Sequence, residues 1–225
     1  MTDKIKNSYH TSKNFYDDIL SKKKWWSKLY LKLFWGNTDD TKIAQNMLNY
    51  IPDNFSGKLL DVPVGTAVFT AEKYSRLKNA NITCIDYSQD MLEKAENRFH
   101  KKGLNNIKIM QGDVTCLPFE TESFDIIICM NGLHAFPDKE KAYSEIFRVL
   151  KKDGIFIASL YVAGELKSSD WLVKNILARK GWFSPPFETK EEVKQRLTHK
   201  YIILDFHIDG AMLYFRAKKV KEDIF

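Results

Sequence analysis

The sequence predicts an α/β protein with a doubly wound, mostly parallel sheet, and three observations support this fold class. Apolar and amphipathic segments alternate with short connections between residues 58 and 161, as expected for parallel strands that helices join. The last two apolar segments flank the pair Asp209-Gly210, which is typical of an antiparallel hairpin. The length of 225 residues, 44% of them hydrophobic, suits one well-packed domain rather than two.

The first strand ends in a carboxylate and leads into a turn. Residues 58–62 form a short apolar run that contains Asp61, and Pro63 and Gly65 follow in the turn. The amphipathic segment after them predicts a helix over residues 66–78. Ligands of open α/β sheets bind in loops at the carboxyl ends of strands, because helix N-termini and free amides converge there.

The next strands repeat the pattern of a buried strand followed by a connection. Residues 82–86 predict the second strand, and Ser88 caps a helix that Gly103 closes. Apolar runs at residues 107–111 and 124–130 predict the third and fourth strands. The alternation therefore continues without interruption through the middle of the chain.

The C-terminal part departs from this alternation. A helix over residues 139–150 and a fifth strand over residues 154–161 complete the parallel part. Residues 162–200 predict a long helical insertion, and two antiparallel strands follow at residues 201–207 and 211–217. A parallel sheet that ends in an antiparallel hairpin is not the usual layout of a nicotinamide dehydrogenase.

Residues 1–57 predict an N-terminal helical extension that serves as a lid. The segment from Trp25 to Trp35 alternates large aromatic residues with lysines, and at helical spacing the aromatic residues share one side. Three interpretations stay open: a lid over an apolar substrate, a helix packed on the domain, or a helix at a membrane surface. A second helix is predicted over residues 41–50, and Tyr16 is a candidate lid residue.

Composition sets limits on the partners and the compartment. The chain has 35 basic and 29 acidic residues, a formal net charge of +6, so an anionic partner is permitted but not required. The three cysteines have no CxxC spacing, and two of them lie in apolar runs that predict buried strands. We interpret them as core thiols rather than as metal ligands or disulfides. Residues 1–10 are polar and no run of about 18 apolar residues occurs, so we expect a soluble cytoplasmic protein.

The polar residues that end the strands carry a resemblance to a known family. Asp61, Asp86 and Asp113 end the first three strands, and Asn131 follows the fourth. In this order, residues 58–218 resemble the class I S-adenosylmethionine-dependent methyltransferases, and look closest to the small-molecule group (methyltransferase type 11) related to quinone biosynthesis. The resemblance implies a Rossmann-like fold and S-adenosyl-L-methionine as cofactor, with S-adenosyl-L-homocysteine as product.

The first motif of this family has an acidic residue followed by three alternating glycines. This chain has Asp61, Pro63, Gly65 and Ala67 in those positions, so only the middle glycine is retained. The resemblance implies that Asp61 and the loop amides hold the methionine ammonium and carboxylate, with Thr66 as a hydroxyl donor at the helix start. A glycine without a side chain permits close approach of the cofactor.

The ribose and adenine ends are implied by the next two strand ends. Asp86 can accept hydrogen bonds from both ribose hydroxyls, and it is followed by Tyr87 in the same segment. By resemblance, Met91 packs on the adenine face, although a core methionine is an equal alternative. The resemblance also assigns the carboxylate of Asp113 to the adenine amine and the amide of Val114 to a ring nitrogen.

Three further glycine or polar positions complete the predicted cofactor site. Gly112 precedes Asp113 at the end of the third strand, and the alternative role for Asp113 is a turn cap. Asn131 and Gly132 lie beside the sulfonium in the resembling family. His134 is the titratable residue nearest to the expected methyl group, so it is either a general base or a structural histidine.

The leading hypothesis is methyl transfer to an apolar or aromatic small molecule at oxygen, carbon or nitrogen, by in-line displacement. In this hypothesis residues 58–225 bind the cofactor, and the aromatic segments at 1–57 and 162–200 cover the acceptor. The alternatives are an RNA methyltransferase and a non-catalytic, membrane-peripheral cofactor-binding protein. Nucleic acid is not the expected partner, because no RNA-binding module and no Asn/Asp-Pro-Pro-Tyr tetrapeptide occurs. The oligomeric state stays open.

Overall fold

The structure is a computed structural model that describes residues 38–220. Its strands form one sheet of seven. They are β1 (Lys58–Asp61), β2 (Asn81–Asp86), β3 (Lys108–Gln111), β4 (Phe124–Met130), β5 (Leu150–Tyr161), β6 (Tyr201–Asp209) and β7 (Met212–Lys219). Six α-helices occur in the described residues: α1 (Asp40–Asn49), α2 (Thr70–Tyr74), α3 (Gln89–Lys101), α4 (Lys139–Val149), α5 (Lys167–Leu172) and α6 (Lys190–Thr198). A π-helical segment, Val173–Leu177, continues α5.

The strand order is β3-β2-β1-β4-β5-β7-β6. Strands β1 to β5 pair in parallel, and β7 is antiparallel to both β5 and β6. The predicted fold class, a Rossmann-like doubly wound sheet with an antiparallel C-terminal hairpin, is confirmed.

The topology places a crevice between β1 and β4. These strands are neighbours, with Asp61 of β1 level with Ile128 of β4. From β1 the chain continues to β2 and β3 on one side of the sheet, and from β4 it continues to β5 on the other side. At such a switch point the connecting loops diverge, so a ligand can enter outside the carboxyl ends of the strands.

Helices cover both faces of the sheet, and the buried side chains form two clusters. Successive strand residues point to opposite faces, and accordingly Leu59 belongs to one cluster and Leu60 to the other. Helices α1 and α3 pack into the first cluster, and α4 and α6 pack into the second. Burial on both faces explains why the central strands are apolar throughout.

Helix α1 is part of the same core as the sheet. Met47 is buried in the first cluster, and the side-chain amide of Asn46 donates to the hydroxyl of Tyr214 on β7. The guanidinium of Arg216 lies over the ring of Tyr50. The division at residue 57 stays a prediction, and both Tyr16 and the segment from Trp25 to Trp35 lie outside the described residues.

The predicted starts of two elements are corrected by the structure, each by four residues. Residues 66–69 are not helical, since left-handed backbone at Gly65 and Ala67 turns the chain before α2 begins at Thr70. Strand β5 begins at Leu150 rather than at residue 154.

In the insertion at residues 162–200, only α5 with its π-helical extension and α6 are helical, and the segment between them is irregular. The turn residues of the hairpin are Gly210 and Ala211, because Asp209 already pairs with Met212. Within residues 38–220, no helix has both the length and the apolar character needed to cross a membrane.

Candidate functional site

Two adjoining cavities open at the carboxyl edge of the central strands. The empty volume, counted with the open solvent at each mouth, is about 1040 Å³ for the first and about 830 Å³ for the second. Both are lined by Pro63, Asp86, Ala135 and Phe136, so they meet at the switch point between β1 and β4. This arrangement provides one elongated site with two ends.

Eleven of the twelve predicted cofactor residues line these cavities. Those in the first cavity are Asp61, Pro63, Gly65, Thr66, Asp86, Met91 and Asn131. Those in the second cavity are Pro63, Asp86, Tyr87, Gly112, Asp113 and Val114. The residues that the resemblance assigns to the methionine end lie in the first cavity, and Asp113 and Val114 of the adenine end lie in the second, with Asp86 at the junction. Met91, which the resemblance assigns to the adenine face, lines the first cavity instead.

Asp61 is a buried carboxylate at the base of the first cavity. Only 1% of the residue is exposed, and its Oδ2 accepts a hydrogen bond of 2.7 Å from the hydroxyl of Tyr74. Burial raises the pKa of Asp61 to about 7, against the opposing effect of the Tyr74 hydrogen bond. The nearby Asp86 raises it further. A cation in the cavity would relieve this unfavourable burial of charge.

Asp86 ties the loop after β1 to the loop after β2. Its Oδ2 accepts from the Gly65 amide at 2.8 Å, and its Oδ1 accepts from the Ser88 amide at 2.9 Å. Burial raises the pKa of Asp86 to about 6, although the Ser88 and Gly65 amides lower it. Asp86 therefore shapes the loop as well as lining both cavities.

The loop between β1 and α2 is held by backbone hydrogen bonds on both sides. The Val64 amide donates to the Ile85 carbonyl, and the Val62 amide donates to the Ile128 carbonyl. Gly65 has φ of +55°, and no atom lies within 4 Å of an ideal Cβ placed there. Its backbone conformation, rather than crowding within the protein, is the reason for a glycine.

Thr66 does not begin a helix as the sequence predicted. It lies in the turn, four residues before the start of α2, and its carbonyl accepts a hydrogen bond from Arg98 Nε on α3. Thr66 is buried and lines the first cavity, so the predicted contact with a ligand stays a prediction.

At the other end of the site, Asp113 adopts the alternative that the sequence left open. Its Oδ1 accepts from both the amide and the hydroxyl of Thr115, at 2.9 Å and 2.8 Å. Asp113 therefore caps the turn after β3, and it also lines the second cavity. The two roles are compatible, since a carboxylate has two acceptor oxygens.

Asn131 follows β4 with left-handed backbone, φ of +54°. Its amide donates to the carbonyl of Ser159, and the Ser159 hydroxyl donates to Asn131 Oδ1 at 2.9 Å. Asparagine tolerates this backbone conformation better than most residues. Strand β5 thus fixes the orientation of Asn131 at the wall of the first cavity.

Gly132 is the one predicted cofactor residue that lines neither cavity. A Cβ at this position would lie 2.3 Å from Cδ of Pro63 and 2.8 Å from Sγ of Cys129. The close approach therefore occurs within the protein, between the loops after β1 and β4. Gly132 acts on the site by letting the Pro63 loop pack against β4.

Gly132→Ala is expected to lower the thermal unfolding midpoint by several degrees, because overpacking a buried position costs about 1–3 kcal/mol. The matched comparison is Gly112→Ala, whose nearest contact would be 3.1 Å from Ile85 Cγ2 and which should cost less. Thermal unfolding of both variants measures the difference. Equal midpoints for Gly132→Ala and wild type would contradict this account of the loop packing.

The geometry does not support His134 as a general base. The residue is 4% exposed, its Nδ1 accepts from the amide of Tyr161 at 3.0 Å, and its ring stacks on Phe183 at 4.1 Å. Burial, together with the nearby Lys139, lowers the pKa of His134 to about 3. His134 lines neither cavity, so it acts as a packing residue that holds β5 and the insertion together.

Several lining residues were not assigned a role from the sequence. Phe136 borders both cavities, while Val68, Phe69, Met130 and Trp182 line the first. All are apolar or aromatic, and only the pairing of strands and the path of the insertion bring them together. The aromatic content of the insertion was the available signal, but it did not single out Trp182.

Comparison with known proteins identifies the family of this site. The family model described as a methyltransferase domain matches residues 54–200, more than half of the chain. The chain belongs to the methyltransferase-domain family. The match covers β1 through α6 and therefore includes both cavities.

Curated relatives of this methyltransferase domain include named enzymes. The uncharacterized methyltransferase YcgJ of Bacillus subtilis is 36% identical over 119 residues, covering 53% of this chain and 46% of that protein. A demethylmenaquinone methyltransferase of Leptospira interrogans is 34% identical over 140 residues, covering 59% and 51%. A chloroplastic 2-methyl-6-phytyl-1,4-hydroquinone methyltransferase of Oryza sativa is 35% identical over 98 residues, covering 44% and 29%. The chain spans about half, or less, of the length of these relatives.

Solved structures share the fold at lower sequence identity. The crystal structure of YcgJ from Bacillus subtilis has a TM-score of 0.65 at 20% identity, over 80% of this chain and 99% of that chain. A SAM-dependent methyltransferase from Aquifex aeolicus has a TM-score of 0.61 at 18% identity, over 89% and 97%. The [4+2]-cyclase SpnF has a TM-score of 0.66 at 19% identity, over 83% and 86%. At these identities the structures establish the fold alone.

S-Adenosylmethionine is the cofactor that the family implies, and the residues present fit it. A zwitterionic amino acid end needs a carboxylate and free amides, which Asp61 and the loop after β1 provide in the first cavity. A ribose needs an acceptor at the junction, where Asp86 lies, and an adenine needs a second cavity with polar edges, where Asp113 lies.

Proposed function

We propose that this methyltransferase domain transfers a methyl group from S-adenosylmethionine to a neutral, apolar or aromatic small molecule. The observation that carries the proposal is the pair of buried carboxylates, Asp61 and Asp86, in the first cavity, whose remaining wall is largely apolar and which adjoins the second cavity at Asp86. Buried carboxylates whose pKa values are raised and which lie in a cleft are typical of functional sites.

In this proposal, Asp61 pairs with the methionine ammonium, and the amides of the loop after β1 hold the carboxylate. Asp86 accepts from the ribose hydroxyls while it keeps the Gly65 amide in place. Asp113 and Val114 contact the adenine edge in the second cavity. Met91, which is buried and lines the first cavity, packs against the nucleoside.

S-Adenosylmethionine, when bound, would supply a methyl group activated by its sulfonium, with the thioether of S-adenosylhomocysteine as the leaving group that keeps the carbon–sulfur electron pair. The protein contributes orientation and exclusion of water, which together account for much of the rate in such displacements. Asn131, fixed by Ser159, and the apolar wall around Phe136 hold the acceptor in line. Any proton on the acceptor passes to water.

The lining of the first cavity supports an acceptor that needs no protein base. Its only ionisable residues, among those that the structure describes, are Asp61 and Asp86, and the proposal assigns both to the donor. The acceptor is then nucleophilic in its neutral form, as an unprotonated amine or the electron-rich ring of a quinol is. The same lining includes no lysine, arginine or histidine, which favours a neutral acceptor over an RNA phosphate backbone.

The relatives agree with an acceptor of this class. The names of two of them specify a demethylmenaquinone and a phytyl hydroquinone as the molecules that those enzymes methylate. The structural neighbour SpnF is named as a cyclase, so the fold alone does not establish methyl transfer. The test must therefore measure both donor binding and transfer.

Calorimetric titration with S-adenosylhomocysteine is expected to give one binding site per chain. Transfer of labelled methyl groups from S-adenosylmethionine is then measured to a panel of neutral quinols, phenols and amines, with tRNA as the nucleic acid comparison. Absence of binding to S-adenosylhomocysteine would overturn the proposal. Transfer to tRNA alone would favour the RNA methyltransferase, and binding without transfer to any acceptor would favour a non-catalytic role.

A further inference from the structure

One side chain of the insertion enters the wall of the first cavity. Trp182 is partly exposed and is the only lining residue of that cavity that comes from residues 162–200. The other apolar lining residues come from the loops after β1 and β4, from the end of β4 (Met130) and from α3 (Met91). An aromatic ring supplied by a separate segment can change without altering the residues that hold the donor.

Hydrogen bonds fix Ser184, two residues after Trp182, to the loop after β4. The Ser184 amide donates to the His134 carbonyl at 2.9 Å, and the Ser184 hydroxyl donates to the Ala135 carbonyl at 2.9 Å. Lys139 Nζ donates to the carbonyls of Ser184 and Phe136, at 2.5 Å and 3.2 Å. Both Lys139 and Ser184 are buried.

Stacking adds to these hydrogen bonds on the other side of the segment. The ring of Phe183 stacks on that of His134, with 4.1 Å between the ring centroids. It also packs edge-to-face against Tyr161, with 5.7 Å between the centroids. Residues 183 and 184 are therefore held against residues 134–136, which include Ala135 and Phe136 of the same cavity wall. Trp182 and Phe136 thus form two walls whose separation is set by the Ser184 contacts.

The chemistry of these walls suits a flat and uncharged molecule. Phe136, Trp182 and Met130 offer apolar surface and no donor other than the indole N–H. Two lysines lie near this wall: the ammonium of Lys139 donates to the Phe136 carbonyl, and that of Lys180 lies over the Trp182 ring at 5.0 Å from its centroid. Lys139 does not line the cavity. Lys180 is exposed and does not line the cavity, so it does not determine the preference for neutral ligands.

We infer that Trp182 selects a neutral, planar acceptor by contact with its ring, and that Ser184 and Lys139 are positioning residues for Trp182. This inference rests on the proposed function, because it concerns the acceptor end of the same site. It names one specificity residue and one ligand class that the family assignment leaves undefined.

The test uses the full chain saturated with S-adenosylhomocysteine and two matched probes, neutral 2-naphthol and anionic 2-naphthalenesulfonate, in calorimetric titrations. Wild type should bind 2-naphthol more tightly than the sulfonate. Trp182→Ala should weaken 2-naphthol binding about tenfold and leave the affinity for S-adenosylhomocysteine within about twofold. Trp182→Phe should restore most of the 2-naphthol affinity, because a planar ring returns to the wall.

The control is Trp171→Ala on α5, since Trp171 is 55% exposed and does not line the cavity; its probe affinity should equal that of wild type. Ser184→Ala should weaken 2-naphthol binding with donor affinity retained, and Lys139→Met serves as the second positioning variant. Unchanged 2-naphthol affinity in Trp182→Ala, no wild-type binding of 2-naphthol, or preference for the sulfonate would overturn the inference. Loss of S-adenosylhomocysteine binding by wild type would instead refute the proposed function.

Discussion

Asp86→Asn is expected to weaken S-adenosylhomocysteine binding about 100-fold or more, since hydrogen bonds to a charged group are worth about 1.5–3 kcal/mol each. The substitution preserves shape but places an NH₂ group against one of the two amides, Gly65 or Ser88, that now donate to the carboxylate. Two donors then face each other, and the loop after β1 loses one of its anchors. The proposed contacts with the ribose weaken at the same time.

Calorimetry at pH 8 measures this effect, with Glu96→Gln as the matched control. Glu96 is an exposed carboxylate on α3 that lines neither cavity, so its neutralisation changes local charge without touching the site. The control should bind like wild type. If the Asp86→Asn variant retains its affinity for S-adenosylhomocysteine within about threefold, Asp86 does not contribute to donor binding.

Asp61→Asn is expected to stabilise the unliganded protein at pH 8 while it weakens S-adenosylhomocysteine binding about tenfold or more. Burial holds the pKa of Asp61 near 7, above its value in the unfolded chain. The folded state therefore binds the extra proton between about pH 4 and pH 7, and stability falls as the pH rises through this range. Asparagine avoids that cost, of the order of a few kcal/mol, and still accepts from Tyr74.

Thermal unfolding at pH 5 and pH 8 should show directly whether the ionised carboxylate of Asp61 destabilises the folded protein. The midpoint of Asp61→Asn should exceed that of wild type by several degrees at pH 8 and match it at pH 5. Wild-type affinity for S-adenosylhomocysteine should rise between pH 6 and pH 8, as Asp61 ionises to meet the ammonium. This part of the rise should be missing in the variant.

Asp125→Asn provides a control of opposite sign. Although burial raises its pKa, hydrogen bonds from Lys151 and from the Lys58 amide lower the pKa of Asp125 below its usual value. Its ionised form therefore stabilises the fold at neutral pH, and its loss should lower the midpoint at pH 8. An Asp61→Asn variant that is less stable than wild type at pH 8 would contradict the assignment of a costly buried charge.

The order of strands and the position of the site were predictable because they depend on local patterns. Apolar runs that end in Asp61 and Asp86 are read from the sequence, and parallel pairing then brings the strand ends to one edge. The extent of α2 was not predictable. The chain turns at Ala67, which has left-handed backbone although it is not a glycine. Helix propensity does not predict this conformation, because it depends on the packing of the loop.

The roles of individual side chains were predictable where they depend on local patterns and not where they depend on contacts between distant segments. The sequence by itself determined the fold class and most of the residues around the two cavities, because periodicity and strand-end polarity are local properties. Only the tertiary structure decided that His134 is packed beneath Phe183, that Gly132 serves the Pro63 loop, and that Trp182 reaches the cavity wall. Those facts depend on contacts between segments distant in the chain, which no local pattern encodes.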